Sequence, residues 1–170
     1  MLIIDGYNLV HALGLLPAAG RCVRYEPGVL ERAREKTLSL VIKDLPESWR
    51  PETTIVFDSL EPPEFLPSSY TRNGVHIVFA RDYQDADEMI IEMVQKAQRT
   101  ELVVVISSDH RIQNAVLRRH FICQDSDQWY YGGMELPERH HDKTQQKEKE
   151  KPDILISQEE KDYWLRIFNK

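Results

Sequence analysis

Short apolar runs separated by longer helix-patterned stretches constrain this chain more than any other feature. Residues 2–4, 53–57, 75–79, 102–106 and 121–123 are runs of this kind. A strand that is apolar on both faces has to be covered on both, which is the habit of parallel sheets. Between the runs, Val29, Leu30, Ala33, Thr37, Leu38, Val41 and Ile42 recur at the spacing of one helix face. Pro27 suits the first helical position, and the helix should end before Pro46. Ala86, Met89, Ile90, Met93, Val94 and Ala97 make a second stripe, opened by an Asp85/Glu88 capping box. A short helix is expected over residues 8–13, and another from Asp109 to about Leu117. Residues 59–69, with three prolines, read as a surface loop. Alternation of such strands and helices predicts an α/β fold of three layers, α/β/α, around a central, mostly parallel sheet.

The composition changes after Gly132-Gly133. Residues 138–152 are almost wholly charged or polar and offer nothing to a core, as in a solvated linker. Beyond them, Ser157 and Glu160 form a further capping box ahead of Tyr163, Trp164, Leu165, Ile167 and Phe168. The expected organisation is a folded domain over residues 1–134, a charged linker over 135–153 and an amphipathic helix over 154–170. That helix could fold back on the body or dock a protein partner. No run approaches the roughly 20 apolar residues that span a bilayer, and the opening residues lack the basic start of a secretory signal. Cys22 and Cys123 have no ligand-type spacing and read as reduced thiols. These features fit a cytoplasmic protein.

The carboxylates fall in a pattern. In an open parallel sheet, ligands bind beyond the carboxyl ends of the strands. Asp5 directly follows the first apolar run and Asp58 the second. Asp85, Asp87 and Glu88 follow the third, and Asp109 lies three residues past the fourth. Each acid has an ordinary structural use. Asp5 could be a turn residue and Asp58 could open a loop; Asp85 could cap a helix, and Asp87, Glu88 and Asp109 could favour a helix dipole. Those uses do not explain why four strands share the habit, whereas a common metal site does. Carboxylates without paired His or Cys select a hard cation, Mg²⁺ or Mn²⁺. The fitting chemistry is metal-assisted phosphodiester hydrolysis. A net charge of −6 argues against a nucleic-acid partner only while those acids lack their cation.

The block Ile3-Ile4-Asp5-Gly6-Tyr7-Asn8 resembles the opening motif of NYN-domain nucleases, in particular the bacterial YacP-like branch of the PIN-like group. Val56-Phe57-Asp58, Ala86-Asp87-Glu88-x-Ile90 and Ser107-Ser108-Asp109 follow in the same order. The resemblance covers roughly residues 1–130 and implies a PIN-like, metal-dependent endoribonuclease acting in RNA processing or mRNA decay. It carries metal and catalytic roles onto Asp5, Asp58, Asp87 and Asp109, and makes Asn8 a group that positions a metal water or phosphate.

RNA contacts are expected from Arg72, Arg81 and Arg111, with Tyr7 and Tyr83 near the rim for stacking. Arg118 and Arg119 read as a solvated helix face, and His11 as structural. A ribosome or other RNA–protein complex that presents the substrate would suit an acidic nuclease. Phosphoryl-transfer domains on similar sheets are disfavoured: no Lys follows the last strand, and Asp5-Gly6-Tyr7 is not Asp-x-Asp. The remaining alternative is a non-catalytic RNA-binding adaptor that retains the fold.

Overall fold

The computed structural model describes residues 1–16, 25–26, 28–58 and 67–138. Cys22, most of the proline-rich loop, His140, His141, most of the charged linker and the Trp164 helix lie outside the described residues. The chain divides into two units, Met1–Glu135 and Leu136–Lys170. All the elements below belong to the first.

Six strands form one sheet in the order β3-β4-β2-β1-β5-β6. They are β1 (Leu2–Asp5), β2 (Thr53–Phe57), β3 (Ser69–Arg72), β4 (Val75–Phe79), β5 (Val104–Ile106) and β6 (Ile122–Gln124). Five run parallel, and β3 alone is antiparallel, against β4. Among the described residues the α-helices are α1 (Gly6–Ala12), α2 (Val29–Asp44), α3 (Ala86–Lys96), α4 (His110–Arg118) and α5 (Ser126–Tyr131). This is the three-layer, mostly parallel architecture expected from the alternation of runs.

Strand side chains alternate between faces, and the register sorts them. Ile3, Val56 and Val105 share one face and pack with Ala86, Ile90 and Val94 of α3 and Ile112 and Val116 of α4. Phe57 and Phe79 lie on the other face, where α1 and α2 bring Tyr7 and Arg34 against them. All these strand residues are buried, so both faces are covered, as parallel strands require. Among the described residues no helix is long and apolar enough to cross a membrane.

Two elements were not expected. β3 begins at Ser69, where the expected loop ends, and its exposed–intermediate alternation carries no apolar run to announce a strand. The hairpin to β4 is closed by Asn73 and Gly74, both at positive φ (49° and 86°), the pairing that two-residue hairpin turns favour. The six-residue α5 is the other.

Candidate metal centre

Asp5 ends β1 and is the N-cap of α1, its Oδ1 accepting from the Asn8 backbone N–H at 3.1 Å. The chain turns here at Gly6, where a Cβ would stand 2.4 Å from the Phe57 ring and 2.8 Å from the Val56 carbonyl oxygen. Only glycine allows α1 to leave the strand this close to β2. Two further donors converge on Asp5 Oδ2: Asn8 Nδ2 at 2.5 Å and Ser107 Oγ, from the end of β5, at 3.0 Å. Asp5 is 3% exposed. Burial raises its pKa and outweighs the hydrogen bonds that lower it, and the charge of Asp109 raises it further.

Asp109 arrives from the neighbouring parallel strand. The β5–α4 loop is held by the Asp109 N–H, which donates to Ser107 Oγ at 3.1 Å. The Asp109 carboxylate caps α4, accepting from the backbone N–H groups of Arg111 and Ile112 at 2.6 and 3.3 Å. Asp85 caps α3 through the Glu88 N–H at 2.7 Å, and Glu88 reaches back to the Gln84 N–H at 3.0 Å, so the expected capping box forms. Capping by Asp85 leaves Asp87, in the first turn of α3, to face the other acids. Its pKa is raised to about 6, first by burial and then by the charges of Asp109, Asp5 and Asp85. Arg111 pulls it back, with Nη1 3.4 Å from both Asp85 Oδ2 and Asp87 Oδ2.

Asp5, Asp87 and Asp109, on three separate segments, therefore sit within each other's fields at one end of the sheet. The N-termini of α3 and α4 point the same way and partly offset that crowding. Asp58 is one residue past β2 at the same rim. With Asp5 opposite Val56 in the register, strand spacings put its Cα about 8 Å from that of Asp5. Asp58 is not among the charges acting most strongly on Asp5 or Asp87. Among the described residues no three His, Cys, Asp or Glu side chains stand as a ready chelating group. The donor chemistry suits Mg²⁺ or Mn²⁺, which characteristically takes one or two carboxylates and fills the remaining positions with water.

The expected RNA contacts fare unequally. Arg111 stands at the acids, as an ion-pair partner. Arg81 follows β4 at the same rim, its N–H donating to the Phe79 carbonyl. Arg72 has to be removed from the site. β3 runs antiparallel and Arg72 pairs with Val75, the first residue of β4, so it lies at the opposite end of the strands, in an ion pair with Glu35 at 2.7 Å. Tyr7 is held edge-on against Phe57 at 5.4 Å between ring centroids, and its hydroxyl accepts from Arg34 Nη1 at 2.8 Å. These contacts make it an anchor for α1. Tyr83 donates to Glu92 at 3.0 Å.

Sequence reasoning passed over three supporting residues. Asp125 follows β6 as the other acids follow their strands, and accepts from Ser108 Oγ at 2.6 Å and Gln113 Nε2 at 3.4 Å. Gln113 also donates to the Ser107 carbonyl at 3.0 Å, which fixes the loop that carries Asp109. Applying the strand-end rule to the fifth run would have found Asp125. Nothing in the spacing marks Arg34, 5% exposed and stacked over Phe79.

A family model described as the YacP-like NYN domain matches residues 2–169. Two crystal structures of Rae1 (YacP) from Bacillus subtilis share the fold. The protein itself aligns with TM-score 0.54 and 20% identity over 79% of this chain and 73% of that one. A point variant aligns with TM-score 0.51 and 20% identity over 78% and 74%. No curated protein matches the sequence.

Proposed function

The chain belongs to the YacP-like NYN domain family, and on that premise we propose that it is a metal-dependent endoribonuclease. The supporting observation is the convergence of Asp5, Asp87 and Asp109 at the carboxyl ends of parallel strands, where the charges of Asp109 and Asp5 bear on Asp87 and that of Asp109 on Asp5. Three acids held in each other's fields are costly unless a cation or a proton joins them.

In this reading Asp5, Asp87 and Asp109 would hold Mg²⁺ or Mn²⁺, with Asp58 beside them at the same rim. Such an ion supplies an activated water and neutralises charge that develops on a phosphodiester. The chain's own groups do the rest. Asn8 and Ser107 fix the Asp5 carboxylate from two sides. Asp87, raised to about 6, is mostly ionised at neutral pH, the form that metal-binding carboxylates must take. Arg111 neutralises Asp85 and Asp87 and has a guanidinium fork that a phosphate oxygen can engage in their place. Arg81, two residues past β4 at the same rim, is a further cation that the phosphates of a bound strand would meet. Presentation of the RNA by a ribosome or other RNA–protein complex would compensate for the few basic side chains at the rim.

The test is cleavage of single-stranded and structured RNA in Mg²⁺, Mn²⁺ or EDTA by the wild type, Asp5→Asn and Asp87→Asn. Internal cuts that need the metal and fall by orders of magnitude in both variants are expected. Equal cutting in EDTA refutes the metal role. RNA retention that ignores both substitutions, without cutting, would instead favour the adaptor.

A further inference from the structure

Where the end of β6 meets α5 there is a cleft that the metal centre does not use. Its volume is about 270 Å³, and Cys123, Gln124, Asp125, Gln128, Trp129 and Glu135 line it. Sites that engulf a whole small molecule are usually larger, roughly 300–1,000 Å³. This one suits a single planar ring that belongs to a longer ligand. The lining residues include no Lys or Arg, so it offers nothing to a phosphate. It offers hydrogen-bonding groups and an aromatic wall. The carboxylates of Asp125 and Glu135 only accept, and the amides of Gln124 and Gln128 both donate and accept. Trp129 is 3% exposed, and its indole N–H has no hydrogen-bond partner among the described residues. The Cys123 thiol is pushed up to about 11 by burial and then by the charge of Asp125, so it is protonated at neutral pH and serves as wall, not nucleophile.

The cleft adjoins the acids. Asp125 is bonded to Ser108, the residue before Asp109, and the Ser126 N–H donates to the same Ser108 hydroxyl at 3.2 Å. In the endoribonuclease reading, a strand with its phosphate at Asp5, Asp87 and Asp109 therefore has the cleft within reach of its next nucleotide.

We propose that this cleft receives a nucleobase of the RNA strand beside the cleaved phosphate and favours bases with an exocyclic amino group over uracil. The inference rests on the endoribonuclease reading for the position of the strand. An amino group of adenine, cytosine or guanine donates to Asp125 or Glu135, while the amides meet the rest of the base edge. A uracil carbonyl in that place faces the carboxylates acceptor to acceptor.

Two measurements test it. The first compares cleavage of short RNAs that differ at one position next to the cut. The wild type should prefer A, C or G to U by about 10-fold, the scale of one or two unmatched hydrogen bonds at a half-open site. Glu135→Gln, an exposed change that adds a donor, should raise cleavage of the U substrate and narrow the ratio to about twofold. The second needs no cleavage: cytidine and uridine are titrated in EDTA while the Trp129 indole N–H resonance, identified by its loss in Trp129→Phe, is followed by NMR. Cytidine should shift it at a concentration at least about fivefold lower than uridine. Cleavage without base preference, together with a Trp129 signal that ignores both nucleosides, overturns the cleft and leaves the nuclease standing. A preference that survives Glu135→Gln unchanged overturns it as well. Failure to cut any RNA while cytidine still moves the signal overturns the nuclease reading and leaves the cleft as a base site.

Discussion

Replacing Asp87 by Asn should make the folded domain more stable and the enzyme inactive. The amide keeps the shape of the side chain and removes a charge that burial disfavours and that Asp109, Asp5 and Asp85 oppose. Carrying a carboxyl from 3.8 to about 6 on folding corresponds to about 3 kcal/mol against the native state at neutral pH. The Asp87 side chain is 25% exposed, and solvent screening reduces that to about 1.5 kcal/mol. Loss of the Arg111 pairs, at 3.4 Å on a largely exposed guanidinium, subtracts only a few tenths. The assay is thermal or urea unfolding in EDTA at several pH values. At pH 7.5 the variant should melt about 5 °C above the wild type. The sign of the pH dependence follows from the raised pKa. The penalty is complete above about 6, shrinks as the pH falls through the interval down to 3.8, and is absent below it, because the wild type then carries the proton itself. Saturating Mg²⁺ should reverse the order, since only the wild type gains binding free energy. Equal melting at pH 7.5, or an advantage that grows towards pH 4, would refute the reasoning.

Gly6→Ala should cost about 1–3 kcal/mol through overpacking, since the new Cβ meets Phe57 at 2.4 Å and the Val56 carbonyl at 2.8 Å; chemical denaturation measures it, and an unchanged midpoint would contradict the packing. Arg111→Ala should change stability by under about 0.5 kcal/mol but move the acid limb of the pH–rate profile upward, because Arg111 lowers the pKa of Asp87; a downward movement would contradict the pairing. Arg72→Ala should leave cleavage of short RNA unchanged, because its ion pair with Glu35 lies at the far end of the strands; a large loss would contradict that placement.

The sheet and its rim of acids were readable because both follow from local rules. Runs such as 53–57 must be buried on both faces, and an Asp just past each run must lie at the carboxyl end of a parallel strand. The rule failed where a strand reverses. Ser69–Arg72 has no apolar run to announce it, so nothing local separates Arg72, at the far end of the strands, from the arginines near the acids. Contacts between distant segments were not readable at all. Ser107 reaches Asp5 across 102 positions, and Arg34 reaches Tyr7 across 27. Such pairs depend on which strands become neighbours, and no local pattern records that. Tyr7 illustrates the consequence: its place beside Asp5 suggested base stacking, whereas Phe57 and Arg34 hold it.

Binding of Mn²⁺ followed by electron paramagnetic resonance, for the wild type and for Asp5→Asn, Asp87→Asn and Asp109→Asn, bears most directly on the shared ion. A bound-Mn²⁺ signal in the wild type that weakens sharply in each of the three variants is the predicted result. Unchanged Mn²⁺ affinity in all three would mean that these aspartates do not share a cation.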